Sequence, residues 1–79
     1  MTVLFPGCLL KSKKMCYLSA TNNVFAPEVT AVQKGAVCIV IASFEEDKRS
    51  WYLLMCEGNL GWDFFDDEFF ISSYYEKIT

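Results

Sequence analysis

Histidine is absent from this 79-residue chain. Its absence removes the commonest general base and the commonest metal ligand from the available chemistry. No apolar run approaches the roughly 20 residues that a membrane span requires. The opening stretch, Met1 to Gly7, has no basic segment and no long apolar core, so no secretory signal is expected. The four cysteines, Cys8, Cys16, Cys38 and Cys56, contain no C-x-x-C or closely spaced pair, which argues against a zinc site. Basic residues number 7 against 10 acidic, for a net charge of −3. That balance argues against generic nucleic-acid binding, which needs a net basic face. Internal repeats, low-complexity linkers and amphipathic helical segments of three turns are likewise missing.

A chain this short holds one domain, spanning residues 1–79. Its core supplies only about 3–5 kcal/mol, so a staple or a partner is often needed. An even cysteine count allows two disulfides in three connectivities. Cys38 and Cys56, however, sit inside apolar runs and read as small buried hydrophobes. With no secretory signal, reduced thiols and a cytoplasmic location are the expectation.

What is abundant is apolar and aromatic: 53% hydrophobic residues, with 7 Phe, 4 Tyr and 2 Trp. Periodicity favours short strands. Cys8–Leu10 and Met15–Leu18 flank a basic turn at Lys11–Lys14. Ser19–Val32 reads as irregular, with Pro27 barring a central strand. Val37–Ile41 is β-branched and apolar, a strong strand signal. Phe44–Ser50 reads as a charged hairpin tip, and Trp51–Cys56 as the returning strand. Glu57-Gly58-Asn59 is a tight turn, followed by a strand over Leu60–Phe65. Asp66–Glu68 is suited to start one helical turn, and residues between Phe69 and Tyr75 to close the sheet. The fold class is therefore all-β: a small antiparallel barrel with one long irregular loop. Around residue 40, Val37, Ile39 and Ile41 fill one face of their strand, and Cys38, Val40 and Ala42 the other. A small barrel buries one face per strand. The second then needs the long loop or a second copy of the chain as its cover, which makes a homo-oligomer a natural expectation.

The order Lys34-Gly35 before an apolar strand, then Trp51-Tyr52-Leu53-Leu54, then Gly58-Asn59-Leu60-Gly61-Trp62 resembles the bacterial SH3-like domain family. The match covers about residues 34–65. It implies an SH3-like barrel, with Gly61 making room for Trp62 to turn inward across the barrel end. Strand alternation adds that Trp51 and Tyr52 point to opposite faces, one to the core and one to the surface. Asp63 stands where that family usually has an apolar residue. Family members often bind cell-wall peptides as modules of secreted enzymes. A free-standing version with no secretory signal resembles instead the small accessory proteins of phage and bacteria, including inhibitors of host factors.

Four groups of residues are candidates for a site. Tyr17, Tyr52 and Trp62 suit a shallow aromatic groove for an extended peptide. Phe64, Phe65, Phe69, Phe70, Tyr74 and Tyr75 include adjacent pairs that strict alternation cannot bury together, as at a protein interface. Asp66, Asp67 and Glu68, with Asp63, suit a basic partner; they lack the alternation and glycine of a calcium loop. Lys11, Lys13 and Lys14 suit an anion, for instance the phosphate of a small nucleotide. Nucleophilic catalysis lacks a base, so no enzyme, cofactor or metal is expected. The leading expectation is a binding module that docks on another protein. Sequestration of a nucleotide, and service as a structural subunit of a larger assembly, are the alternatives.

Overall fold

A computed structural model describes residues 4–22, 25–46, 49–65 and 72–78. Seven strands form one antiparallel sheet: β1 (Leu9–Ser12), β2 (Cys16–Ser19), β3 (Glu28–Val32), β4 (Val37–Glu46), β5 (Arg49–Cys56), β6 (Asn59–Phe65) and β7 (Tyr75–Lys77). Their order across the sheet is β3-β2-β6-β5-β4-β1-β7. A helical turn at 72–74 leads into β7. No helix among the described residues is long and apolar enough to cross a membrane. The all-β antiparallel expectation holds.

The three strongest strand signals become the three central strands. β5 and β6 are joined by a two-residue turn in which Glu57 and Gly58 both take positive φ, 53° and 83°, with Cys56 opposite Asn59. Two residues in the left-handed region give the twist that a short hairpin requires, and glycine carries it without strain. The stretch expected to be irregular contains β3, which pairs with β2 through Leu18 and Thr30. Pro27 precedes that strand rather than interrupting it, and β3 lies at a sheet edge, where a preceding proline costs no ladder bond.

The interior is filled by Leu10, Leu18, Val32, Val40, Leu54, Tyr52, Phe65 and Tyr75, all buried in one cluster. Two strand positions there correct what the sequence suggests. Gly61 faces inward, and a Cβ built on it would land on the Cβ of Leu18. The glycine therefore makes room for β2 to cross β6. Trp62, its neighbour, faces the other side and is only partly buried, which corrects the expectation that Trp62 turns inward. In β4 the register against β5 shifts at Ile41, a one-residue bulge between Val40 and Ala42. Before the bulge the even residues Cys38 and Val40 are buried. Beyond it Ala42 pairs with Leu53 and Phe44 with Trp51, on the opposite face of the sheet. Ala42 thus leaves the face assigned to it by alternation, because an added residue reverses the side-chain parity.

The cysteines also correct the sequence expectation. Cys38 and Cys56 lie directly opposite one another, Cα to Cα 4.4 Å, and form a disulfide across β4 and β5. Cys8 and Cys16 are free.

Candidate protein-interaction surface

The sheet has two faces, and the core uses one. On the other face the register lines up three rungs. Leu9 stands opposite Ile39, Ile39 opposite Met55, and Met55 opposite Leu60, across β1, β4, β5 and β6. Ala42, Leu53 and Trp62 form the second rung, with Ser19 of β2 beyond Trp62. Phe44, Trp51 and Phe64 form the third. None of these side chains is ionisable. Leu60 is 50% exposed, Ile41 at the bulge 40%, and Met55 37%. Val37, beside the first rung, is exposed as well. The Ser19–Val32 stretch, expected as a possible cover, contributes the edge strand β3, and Met55 and Leu60 of the first rung stay open to solvent.

The third rung is an aromatic cluster set apart from the core. Trp51 is buried, yet it belongs to no part of the core cluster. Its indole is stacked beside Phe44 at 6.3 Å and packs on Phe64 at 4.8 Å. Trp62 meets Phe44 edge-on at 5.7 Å. Arg49 lies 5.4 Å over the Phe64 ring, within cation–π range. Trp51 and Tyr52 do point to opposite faces, as adjacent strand residues must, but both are buried: Tyr52 in the core, Trp51 under its aromatic neighbours.

The sequence-expected site residues therefore divide. Trp62 and Phe64 share the outer face, and Tyr17 lies on the outward side of β2, half exposed. Tyr52 and Phe65 are core residues, 8% and 5% exposed, with their rings 6.1 Å apart. Neither contributes to an outer groove. Tyr74 packs at the rim of the core against Phe65, with Lys14 4.5 Å over its ring. Lys13 donates to the Ser72 carbonyl at 2.8 Å. Two of the three lysines proposed for an anion are thus engaged with the 72–74 turn, while Lys11 is exposed on β1. Asp66, Asp67, Glu68, Phe69 and Phe70 lie outside the described residues. Leu9, Phe44, Met55 and Leu60 are members that sequence reasoning missed. Strands apolar on both sides were the available signal, but only the register joins them into rungs.

The remaining polar cluster is internal. Tyr75 donates to Asp63 Oδ2 at 3.0 Å, and the Phe64 amide donates to Asp63 Oδ1 at 2.9 Å. The Tyr75 proton is committed to Asp63, so the Cys16 thiol, 3.2 Å from the phenol oxygen, is its donor. Asp63 on β6 and Cys16 on β2 sit on neighbouring strands, whereas Tyr75 is on β7 at the far edge of the sheet order. The three groups meet because the sheet curls back on itself, and they fasten β7 to the opposite part of the sheet. Burial pushes the Asp63 carboxyl up to about 6. Burial also raises the Tyr75 phenol and the Cys16 thiol, and the nearby Asp63 charge adds to both. A thiol held in its neutral form is a poor nucleophile, and Tyr75 is 3% exposed. Among the described residues there is no group of three or more acidic or cysteine side chains able to hold a metal.

Asp63 makes stability depend on pH in an unusual direction. A carboxyl at about 6 when folded, against its ordinary 3.8, binds its proton more tightly in the folded state. Its contribution is present in full below pH 3.8 and is lost as pH rises through 6. The difference amounts to about 3 kcal/mol at most. Denaturation midpoints measured between pH 4 and 8 should therefore fall with rising pH, and Asp63→Asn should flatten the profile. A wild-type profile that rises over that range would contradict the burial of Asp63.

Comparison with protein-family models, with curated proteins and with solved structures finds no match for this chain.

Proposed function

We propose that this chain is a non-enzymatic interaction module that binds another protein through the outer face of its sheet. The carrying observation is the aromatic cluster of Phe44, Trp51, Phe64 and Trp62, assembled outside the core beside exposed aliphatic rungs. Aromatic side chains in such clusters dominate binding energy at protein interfaces, together with arginine, and Arg49 already lies over one of the rings. The internal Asp63, Tyr75 and Cys16 satisfy one another, which favours a structural role for them over a catalytic one.

The relation to bacterial SH3-like domains belongs to the same proposal. Of the residues that carry the resemblance, Lys34-Gly35 lie in the turn before β4, Trp51–Leu54 on β5 and Leu60–Trp62 on β6, with the positive-φ Gly58 in the turn between β5 and β6. The docking surface differs from an SH3-type groove built on Tyr17, Tyr52 and Trp62, since Tyr52 is in the core. An accessory role in a bacterial or phage setting remains the biological context proposed for a domain of this size.

The test is binding by the full chain and by Trp62→Ser. Complexes are isolated from a bacterial lysate, weighed by native mass spectrometry, and rebuilt from the identified partner. Loss of Trp62 should weaken the rebuilt complex by at least about tenfold, an effect of hot-spot size. Circular dichroism of the variant should match the wild type. Binding that survives Trp62→Ser unchanged would remove the outer face from the function.

A further inference from the structure

We propose, resting on the reading of the outer face as a docking surface, that its occupant is a second copy of this chain, packed face to face about a two-fold axis. Three observations favour a copy over an unrelated partner.

Composition comes first. The three rungs hold only apolar side chains apart from Ser19 at one end. Transient docking sites are about as polar as the rest of a protein surface, whereas homodimer interfaces are more apolar and the obligate ones resemble a core cut in half. The rung of Leu9, Ile39, Met55 and Leu60 has the composition of a core, and Met55 and Leu60 in it are open to solvent.

Charge is the second. The net charge of −3 opposes self-association unless the meeting surfaces are neutral or complementary. Across the rungs they are neutral. At one end of the face Lys11 stands opposite Glu76 of β7, beside Val37. At the other end Glu46 stands opposite Arg49, just beyond Phe44 and Trp51. Among the described strand residues, each end thus carries one positive and one negative group. A surface of that kind meets its own copy without like-charge conflict, and isologous pairing requires that self-complementarity.

Area is the third. Strands about 4.8 Å apart and rungs two residues apart make a face of about 20 by 20 Å. Val37 and Ile78, which donates its amide to Leu9 at 2.8 Å, enlarge it at the β1 edge. About 500 Å² from each copy gives about 1,000 Å² in the pair, the lower bound for a specific interface. A reversible, concentration-dependent dimer is what such an area supports.

The experiment is sedimentation velocity on the full chain from about 1 μM to about 1 mM. The expected result is a mass that moves from 9.1 kDa to twice that value as concentration rises. Met55→Lys and Leu60→Lys should each stay at the monomer mass throughout, with unchanged circular dichroism. A second reading needs no variant: the methyl resonances of Met55 and Ile39 in the unaltered protein should shift with concentration. Wild type at the monomer mass throughout overturns the proposal, and so does dimerisation that both lysine variants retain. The docking proposal fails separately, through a partner complex indifferent to Trp62→Ser. A monomer whose partner complex requires Trp62 would keep the docking surface and reject the second copy.

Discussion

Replacing Gly61 with alanine is expected to lower stability by about 3 kcal/mol, the upper end of the usual cost of overpacking. Small domains of this length rest on roughly 3–5 kcal/mol, so much of the population should unfold under mild denaturant. The obstruction is local and rigid. An alanine Cβ at position 61 falls on the Cβ of Leu18, an atom fixed to the main chain of β2 that cannot swing away as a side-chain tip would. Leu18 is fully buried, and the neighbouring Ser19–Trp62 pair holds β2 against β6. Relief therefore requires the two strands to separate, which pulls on the core and on the Asp63–Tyr75 bond together. Gly58 offers a control with a different cause. Its φ is 83° and nothing lies within 4 Å of a built Cβ, so Gly58→Ala meets only backbone strain of about 1–2 kcal/mol. Urea denaturation of the three proteins checks the ranking. A Gly61→Ala variant within about 0.5 kcal/mol of wild type, the range of an ordinary surface change, would mean that β2 does not cross β6 at Leu18.

Much of this architecture can be read from local chemistry. The β-branched run Val37–Ile41, the return strand from Trp51 and the Glu57-Gly58 turn each declare themselves within a few residues, and β4, β5 and β6 follow. Less legible are the features created by one residue at a distance. Ile41 carries no glycine or proline to announce a bulge, yet its insertion moves the β4–β5 register by one. Carried unbroken from the hairpin tip, that register would set Cys38 opposite Glu57; with the bulge it sets Cys38 opposite Cys56. The same shift sends Phe44 to the outer face, where it completes the aromatic cluster. The two-sided apolar character of the central strands was visible, and so was the need for a cover. Which residues share a rung depends on the bulge and was not. Asp63 stood out in the sequence only as a departure from a resembling pattern. Its partner Tyr75 on β7, which also meets the Cys16 thiol on β2, is brought to it by the curl of the sheet.

Reduction of the Cys38–Cys56 bridge is the second large effect. The bridge joins residues 18 apart in sequence, and closing a loop of that size stabilises a chain by about 3 kcal/mol in the loop-entropy model. For a domain of this length that is comparable with the whole contribution of the core. Melting with reductant should fall by more than about 10 °C, at 4–8 °C per kcal/mol for a domain of this size. The bond is nevertheless shielded, because Cys38 and Cys56 are 1% and 3% exposed, and reduction under native conditions should await local opening of the β4–β5 hairpin. Intact-mass measurement after alkylation distinguishes the states: the native chain should take label at Cys8 and only slowly at Cys16, whose thiol burial keeps neutral, and the unfolded, reduced chain at all four. A double Cys38→Ala, Cys56→Ala variant should melt near the reduced protein and be indifferent to reductant. Four labels on the unreduced, unfolded chain, or a melting point that reductant leaves unmoved, would mean that the hairpin holds its register without the bridge. The bulge at Ile41 would then serve the outer face alone, by turning Phe44 toward Trp51 and Trp62.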